Sequence, residues 1–135
     1  GLIKLNYLRL AYLSEISELY KSIEVKFQDV FLKLVGKKDI CIYGAGVVGK
    51  MLFRLIANKE KFNVIAFLDD DRNKVGTKIE GVPVLSLETN IQADALIVAS
   101  FKNVDKMCEK ALRKGFRNVY SVEFLGDKLK LVWRG

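Results

Sequence analysis

Asp39-Ile40-Cys41-Ile42-Tyr43-Gly44-Ala45-Gly46-Val47-Val48-Gly49 is the stretch that decides the fold. A short apolar run breaks into three glycines spaced G-x-G-x-x-G, and Met51, Leu52, Leu55 and Ile56 then recur at helical spacing. The order is strand, tight turn, helix. Each glycine has a separate task in such a turn. Gly44 permits the sharp exit from the strand, Gly46 lets a pyrophosphate approach the backbone, and Gly49 lets the helix pack against the strand. The turn Gly44, Ala45, Gly46, Val47, Val48, Gly49 then offers a phosphate the N–H groups and the partial positive charge of a helix start.

The segment Asn63 to Leu68 reads as a second strand and ends in Asp69-Asp70-Asp71. Asp69 follows Gly49 by 20 residues. A carboxylate at the end of the second strand can accept hydrogen bonds from both ribose hydroxyls. It would repel a 2′-phosphate, which points to NAD over NADP, although Arg72 and Lys74 lie nearby and act the other way. Asp70 joins the candidate contacts, but with Asp71 it also reads as a solvated turn and the cap of a short helical turn. Ser100, after a later strand, either bonds a ribose or phosphate or caps the helix that begins near Asn103. Tyr43 reads as a strand residue packed on the sheet.

Outward from this unit, Arg72 to Gly81 reads as a loop. Val82, Val84 and Leu85 form a third strand, where Pro83 suggests an edge or an irregular start. Ser86 to Ala93 is a connection, and Ala95 to Ala99 a fourth strand. Val104, Met107, Cys108, Ala111 and Leu112 make a helical stripe closed by Gly115, and Asn118 to Val122 is a fifth strand. The tail from Phe124 to Gly135 fits no single pattern. Apolar strands alternating with helices predict an α/β fold. The expected form is a doubly wound, mostly parallel five-stranded Rossmann-like sheet, strand order 3-2-1-4-5, with helices on both faces. Before it, Ile16, Leu19, Tyr20, Ile23, Phe27, Val30, Phe31 and Leu34 predict an amphipathic helix from Ser14 to Val35, closed by Gly36. Residues 1–36 are thus a helical segment and 37–135 one globular unit. The helix offers a face for docking or for a homodimer.

The chain of 135 residues carries 23 basic and 16 acidic side chains, a net charge of +7. Residues 39–101, which hold the glycine turn, carry 7 bases and 8 acids, so the basic excess lies outside it. These charges are spread at helical spacing among acids, which reads as a solvated surface and gives no nucleic-acid partner. No apolar run reaches the ~20 residues of a membrane span. Cys41 and Cys108 lack a CxxC partner and the chain has no histidine, which argues against zinc and for a reducing, cytoplasmic setting. No tyrosine is followed four residues later by lysine, and neither GxSxG nor GxxxxGK[ST] occurs. Catalytic residues are therefore not expected in this chain.

The runs Ile42-Tyr43-Gly44-Ala45-Gly46, Val64 to Asp71, Val75-Gly76 and Ile79 to Leu85 resemble a recurrent bacterial module. The resemblance covers about residues 37–122. It is similar to the Rossmann-like domain at the N-terminus of polysaccharide-biosynthesis nucleotide-sugar dehydratases. It also resembles the N-terminal domain of sugar O- and N-acyltransferases and accessory domains of sugar methyltransferases and glycosyltransferases. The resemblance implies that Gly44, Gly46, Gly49 and Asp69 contact a nucleotide, NAD(H) in some members and a UDP-sugar in others. The alternative is a non-catalytic regulatory or dimerisation module that senses a dinucleotide.

Overall fold

The computed structural model describes residues 31–125 and 128–135. The helix expected from Ser14 lies outside the described residues as far as position 30. Its expected end is a 3-10 turn over Leu32–Leu34, and the chain then leaves through Gly36 at φ 83°.

Among the described residues one mixed sheet of seven strands forms the body. The strands are β1 (Asp39–Tyr43), β2 (Asn63–Leu68), β3 (Lys78–Ile79), β4 (Val82–Leu85), β5 (Ala95–Val98), β6 (Val119–Leu125) and β7 (Lys128–Trp133). Their spatial order is β3-β4-β2-β1-β5-β6-β7. The inner strands β4, β2, β1, β5 and β6 pair in parallel, and β3 and β7 add antiparallel edges. The expected order of five strands is thus present inside a sheet that has two strands more.

The extra strands have local causes. β3 and β4 form a hairpin around Glu80-Gly81, both at positive φ (49° and 84°), the backbone of a tight hairpin turn. The stretch expected to be only loop therefore contains a strand. β4 is not an edge, because β3 covers it. Its pairing with β2 begins at Val84, so the missing N–H of Pro83 falls before that ladder starts. β7 pairs with β6 along its whole length, with Leu129 and Leu131 buried and Lys130 exposed.

Strand alternation divides the core in two. From β1, Ile40 and Ile42 join the face that holds Leu52, Phe53, Leu55 and Ile56 of helix α1 (Val47–Ala57). Cys41 and Tyr43 join the opposite face with Cys108 and Ala111 of helix α2 (Val104–Arg113). Among the described residues each face thus carries one α-helix, and β1 is buried on both from Ile40 onward. A side chain of this size buried completely contributes about 1.5–3 kcal/mol. α2 has Asp105 in its first turn and Lys110 and Arg113 in its last, in keeping with the helix dipole.

Two polar clasps fix the register. The Asp94 Oδ2 accepts the backbone N–H groups of Lys38 and Asp39 at 2.8 and 2.9 Å, tying the starts of β5 and β1 together. Those two bonds hold the Asp94 carboxyl below the usual aspartate range. At the far edge the Arg134 guanidinium donates to buried Ser121 (2.9 Å), Asp105 (3.1 Å) and Glu123 (3.3 Å), joining the end of β7 to β6 and α2.

Candidate nucleotide site

The glycine turn sits at the carboxyl end of β1, between the ends of β2 and β5. Gly44 has φ 120°, a conformation that strains any side chain, and a Cβ there would lie 2.7 Å from the carbonyl oxygen of Ala99. The Gly44 N–H donates to the Leu68 carbonyl at 2.7 Å, which binds the turn to the end of β2. At Gly49 a Cβ would lie 1.8 Å from the Gly44 carbonyl oxygen and 3.4 Å from Ile42 Cγ2. The third glycine therefore does what its spacing predicts, since it brings α1 down onto its own turn. At Gly46 a Cβ would meet, among the described residues, only the Lys74 Nζ, at 3.9 Å. That position is open to a ligand.

The N–H groups of this turn divide into two sets. Ala45 N–H is committed to Asp69 Oδ2 at 2.8 Å. Lys50 N–H closes the first helical bond of α1, onto Gly46 O at 3.0 Å. Among the described residues no acceptor meets the N–H groups of Gly46, Val47 and Val48. They are the unpaired donors that a helix start carries and that an anion can satisfy. The Val47 side chain is 85% exposed, so it does not shield them.

Asp69 is half-buried at the end of β2. While its Oδ2 accepts Ala45 N–H, its Oδ1 accepts Asp71 N–H at 2.8 Å. The carboxylate expected to face a ribose is also the brace of the turn. Each carboxylate oxygen can accept more than one bond, so a ribose remains compatible with this geometry. Asp70 accepts the Tyr43 hydroxyl on both oxygens, at 2.7 and 2.8 Å, and pairs with Lys110 at 3.4 Å. It lies exposed in the bend after β2, as expected of a solvated turn, and from there links β1 to α2. Burial first, then the bond to Asp70, pushes the Tyr43 phenol above its ordinary pKa, so it remains a proton donor. Asp71 caps the following turn, its Oδ1 accepting Asn73 N–H at 2.9 Å. Ser100 is closed on its own loop. Its hydroxyl donates to Lys102 O and accepts Lys102 N–H, and it does not bond the first turn of α2.

Two clefts meet at these acids. The first, about 300 Å³, lies over the turn and is lined by Gly44, Gly46, Asp69, Lys74, Ser100 and Lys102, among others. The second, about 660 Å³, runs along α2 between Arg72, Lys110, Arg113 and Lys114, with Val75 and Leu87 as its apolar part. Asp69 and Asp70 are the residues common to both. Of the nine residues expected at a nucleotide, Gly44, Gly46, Asp69, Asp70 and Ser100 line the first cleft, whereas Ala45, Val47, Val48 and Gly49 do not. Lys74, in the sequence only a base near Asp69, is carried over Gly46 by the β2–β3 connection. No short motif signals such a position, because it depends on how that connection folds back.

This architecture is that of a Rossmann-like domain. The chain belongs to the C2185-like, N-terminal family, whose model matches residues 36–119. No curated protein matches. Among solved structures the chain is similar to UDP-D-quinovosamine 4-dehydrogenase from Vibrio fischeri. The identity there is 25% over 71% of this chain and 93% of that one, with a TM-score of 0.54. It also shares its fold with RSP, a Rex-family repressor, at 21% identity over 73% of this chain and 53% of that one, TM-score 0.55. RSP in complex with β-NAD+ and operator DNA matches at 20% identity, 71% and 52% coverage, and TM-score 0.53. The chain thus spans about half the length of the repressor.

Proposed function

We propose that this chain is a nucleotide-binding domain whose ligand is a nucleoside diphosphate compound, NAD(H) or a UDP-sugar, held at the glycine turn. The observation that carries the reading is Gly46. Its Cα face is open where Gly44 and Gly49 are packed against backbone, beside unpaired N–H groups and between the ends of β1 and β2. In this reading Gly46, Val47 and Val48 donate to the diphosphate and Gly44 and Gly49 shape the turn. Ala45 holds Asp69 in place, and Asp69 accepts a ribose hydroxyl. Asp70 lines the rim, and Ser100 meets the ligand only by giving up its bond to Lys102. The likeness to a UDP-sugar dehydrogenase, and to a repressor solved with NAD+ and with NADH, supports a ligand of this class.

When bound, NAD would supply hydride chemistry. This chain's residues would bind and orient it, and none is assigned to acid–base work. The parent activity we infer is nucleotide-sugar or polysaccharide biosynthesis in a bacterial cytoplasm, as the resemblance of residues 37–122 suggests. Titration with NADH and with UDP-sugars, followed by thermal unfolding, tests the reading. A ligand at about 100 times its dissociation constant stabilises by ~2.7 kcal/mol. A well-folded chain that shifts with neither class would refute it.

A further inference from the structure

We propose that Lys74 is a diphosphate-binding residue, closing the glycine-turn cleft from the side opposite the helix N-terminus. The inference rests on the nucleotide reading above and assigns a residue that the glycine fingerprint does not contain. The fingerprint supplies neutral backbone donors only, whereas a diphosphate diester carries two negative charges.

Three observations support the assignment. First, the Lys74 Nζ is the atom nearest the open face of Gly46, 3.9 Å from where a Cβ would stand. A ligand phosphate approaching the Gly46 backbone must come within reach of this ammonium. Second, the cation has no carboxylate partner among the described residues. Among the described residues no carboxylate oxygen lies within 4.0 Å of it, whereas Lys110 pairs with Asp70 and Lys114 with Glu88. The two acids of the same cleft are engaged elsewhere, Asp69 by two backbone N–H groups and Asp70 by Tyr43 and Lys110. Third, the backbone of Lys74 is fixed without help from its side chain. Its N–H donates to Asp71 O at 3.0 Å, and its carbonyl accepts from Thr77 N–H (3.2 Å) and Thr77 Oγ1 (2.5 Å). The loop is anchored while the ammonium is left to the cleft.

The arrangement predicts charge-dependent recognition. An ammonium meeting a phosphate forms a charge-assisted hydrogen bond that salt screens at an exposed site. The test compares ADP with adenosine, and then NADH and UDP-glucose, on the full chain and on Lys74→Ala, Lys74→Arg and Lys78→Ala, by calorimetric titration. Lys74→Ala should weaken ADP and the diphosphate ligands roughly 3- to 10-fold at about 0.05 M salt and much less at about 0.5 M. It should leave adenosine binding and the melting temperature of the free protein unchanged. Lys74→Arg should restore most of the affinity, and Lys78→Ala, on the exposed hairpin, should have no effect. Equal ADP affinity in wild type and Lys74→Ala, or an equal loss for adenosine and ADP, would overturn the assignment. If the wild type binds none of these ligands, the nucleotide reading fails, and this inference with it.

Discussion

Replacing Gly49 by alanine sets two known effects against each other. Gly49 lies in the first turn of α1. Helix propensity alone favours alanine over glycine by up to about 1 kcal/mol. The structure opposes that gain. The new methyl would stand 1.8 Å from the Gly44 carbonyl oxygen, and real contacts of this kind stop near 3.0 Å, so at least about 1.2 Å must be recovered. A backbone oxygen cannot rotate away, and Gly44 itself is held by its bond to Leu68 and its packing on Ala99. The only relief is to lift α1 from β1, which loosens Leu52 and Ile56 in the core. Overpacking of this kind costs typically 1–3 kcal/mol, occasionally more, and a backbone obstacle belongs at the upper end. After subtraction of the propensity gain the net loss is about 2 kcal/mol. For a domain of this size that lowers the melting temperature by roughly 5–12 °C. Thermal and urea unfolding, read by circular dichroism, measure it. Gly46→Ala is the control. Its Cβ enters open space at φ −95°, so stability should stay within about 1 kcal/mol while nucleotide affinity falls. A Gly49→Ala variant as stable as the wild type, or more so, would refute the packing argument.

Asp69→Ala should weaken nucleotide binding and also cost about 1–3 kcal/mol of stability, because Ala45 N–H and Asp71 N–H lose a charged acceptor; urea midpoints with and without ligand separate the two effects. The Asp94 carboxyl has a lowered pKa in the folded chain, so its contribution is complete above about pH 4 and declines as the pH falls through the folded value. Asp94→Asn should therefore reduce stability at neutral pH and flatten the acid limb of a stability–pH curve; an unchanged acid limb would contradict the clasp. Burial pushes the Cys41 thiol up to about 12 and raises Cys108 as well. Both should resist a thiol reagent at pH 8 in the native chain and react on unfolding.

The parts of the fold that could be read from the chain are those where burial is two-sided. β1, β2 and β5 are continuous apolar runs because helices cover both faces, and such runs stand out. The edges were harder to read for identifiable reasons. The β3–β4 turn uses Glu80 at positive φ, where asparagine or aspartate is the usual signal, so the hairpin did not announce itself. β7 does alternate over Lys128-Leu129-Lys130-Leu131, and that period of two was the available clue in the tail. At the site, the glycines were legible because each answers a steric demand tied to its own position. The partners of Asp69, Asp70 and Ser100 were not. Asp69 meets Ala45 N–H and Asp70 meets the Tyr43 hydroxyl and Lys110 only because β1, β2 and α2 converge there, while Ser100 folds locally onto Lys102, two residues on.

The double engagement of Asp69 has a consequence for redesign. Exchanging the acid after the second strand is the obvious route to a changed nucleotide preference, since that position meets the ribose. In this chain the same side chain is a structural strut between β2 and the turn. Under the proposed function, preference and foldedness are therefore linked in one residue. A specificity switch made there alone would be paid for in a looser turn, and a successful one must supply a new acceptor for Ala45 N–H at the same time.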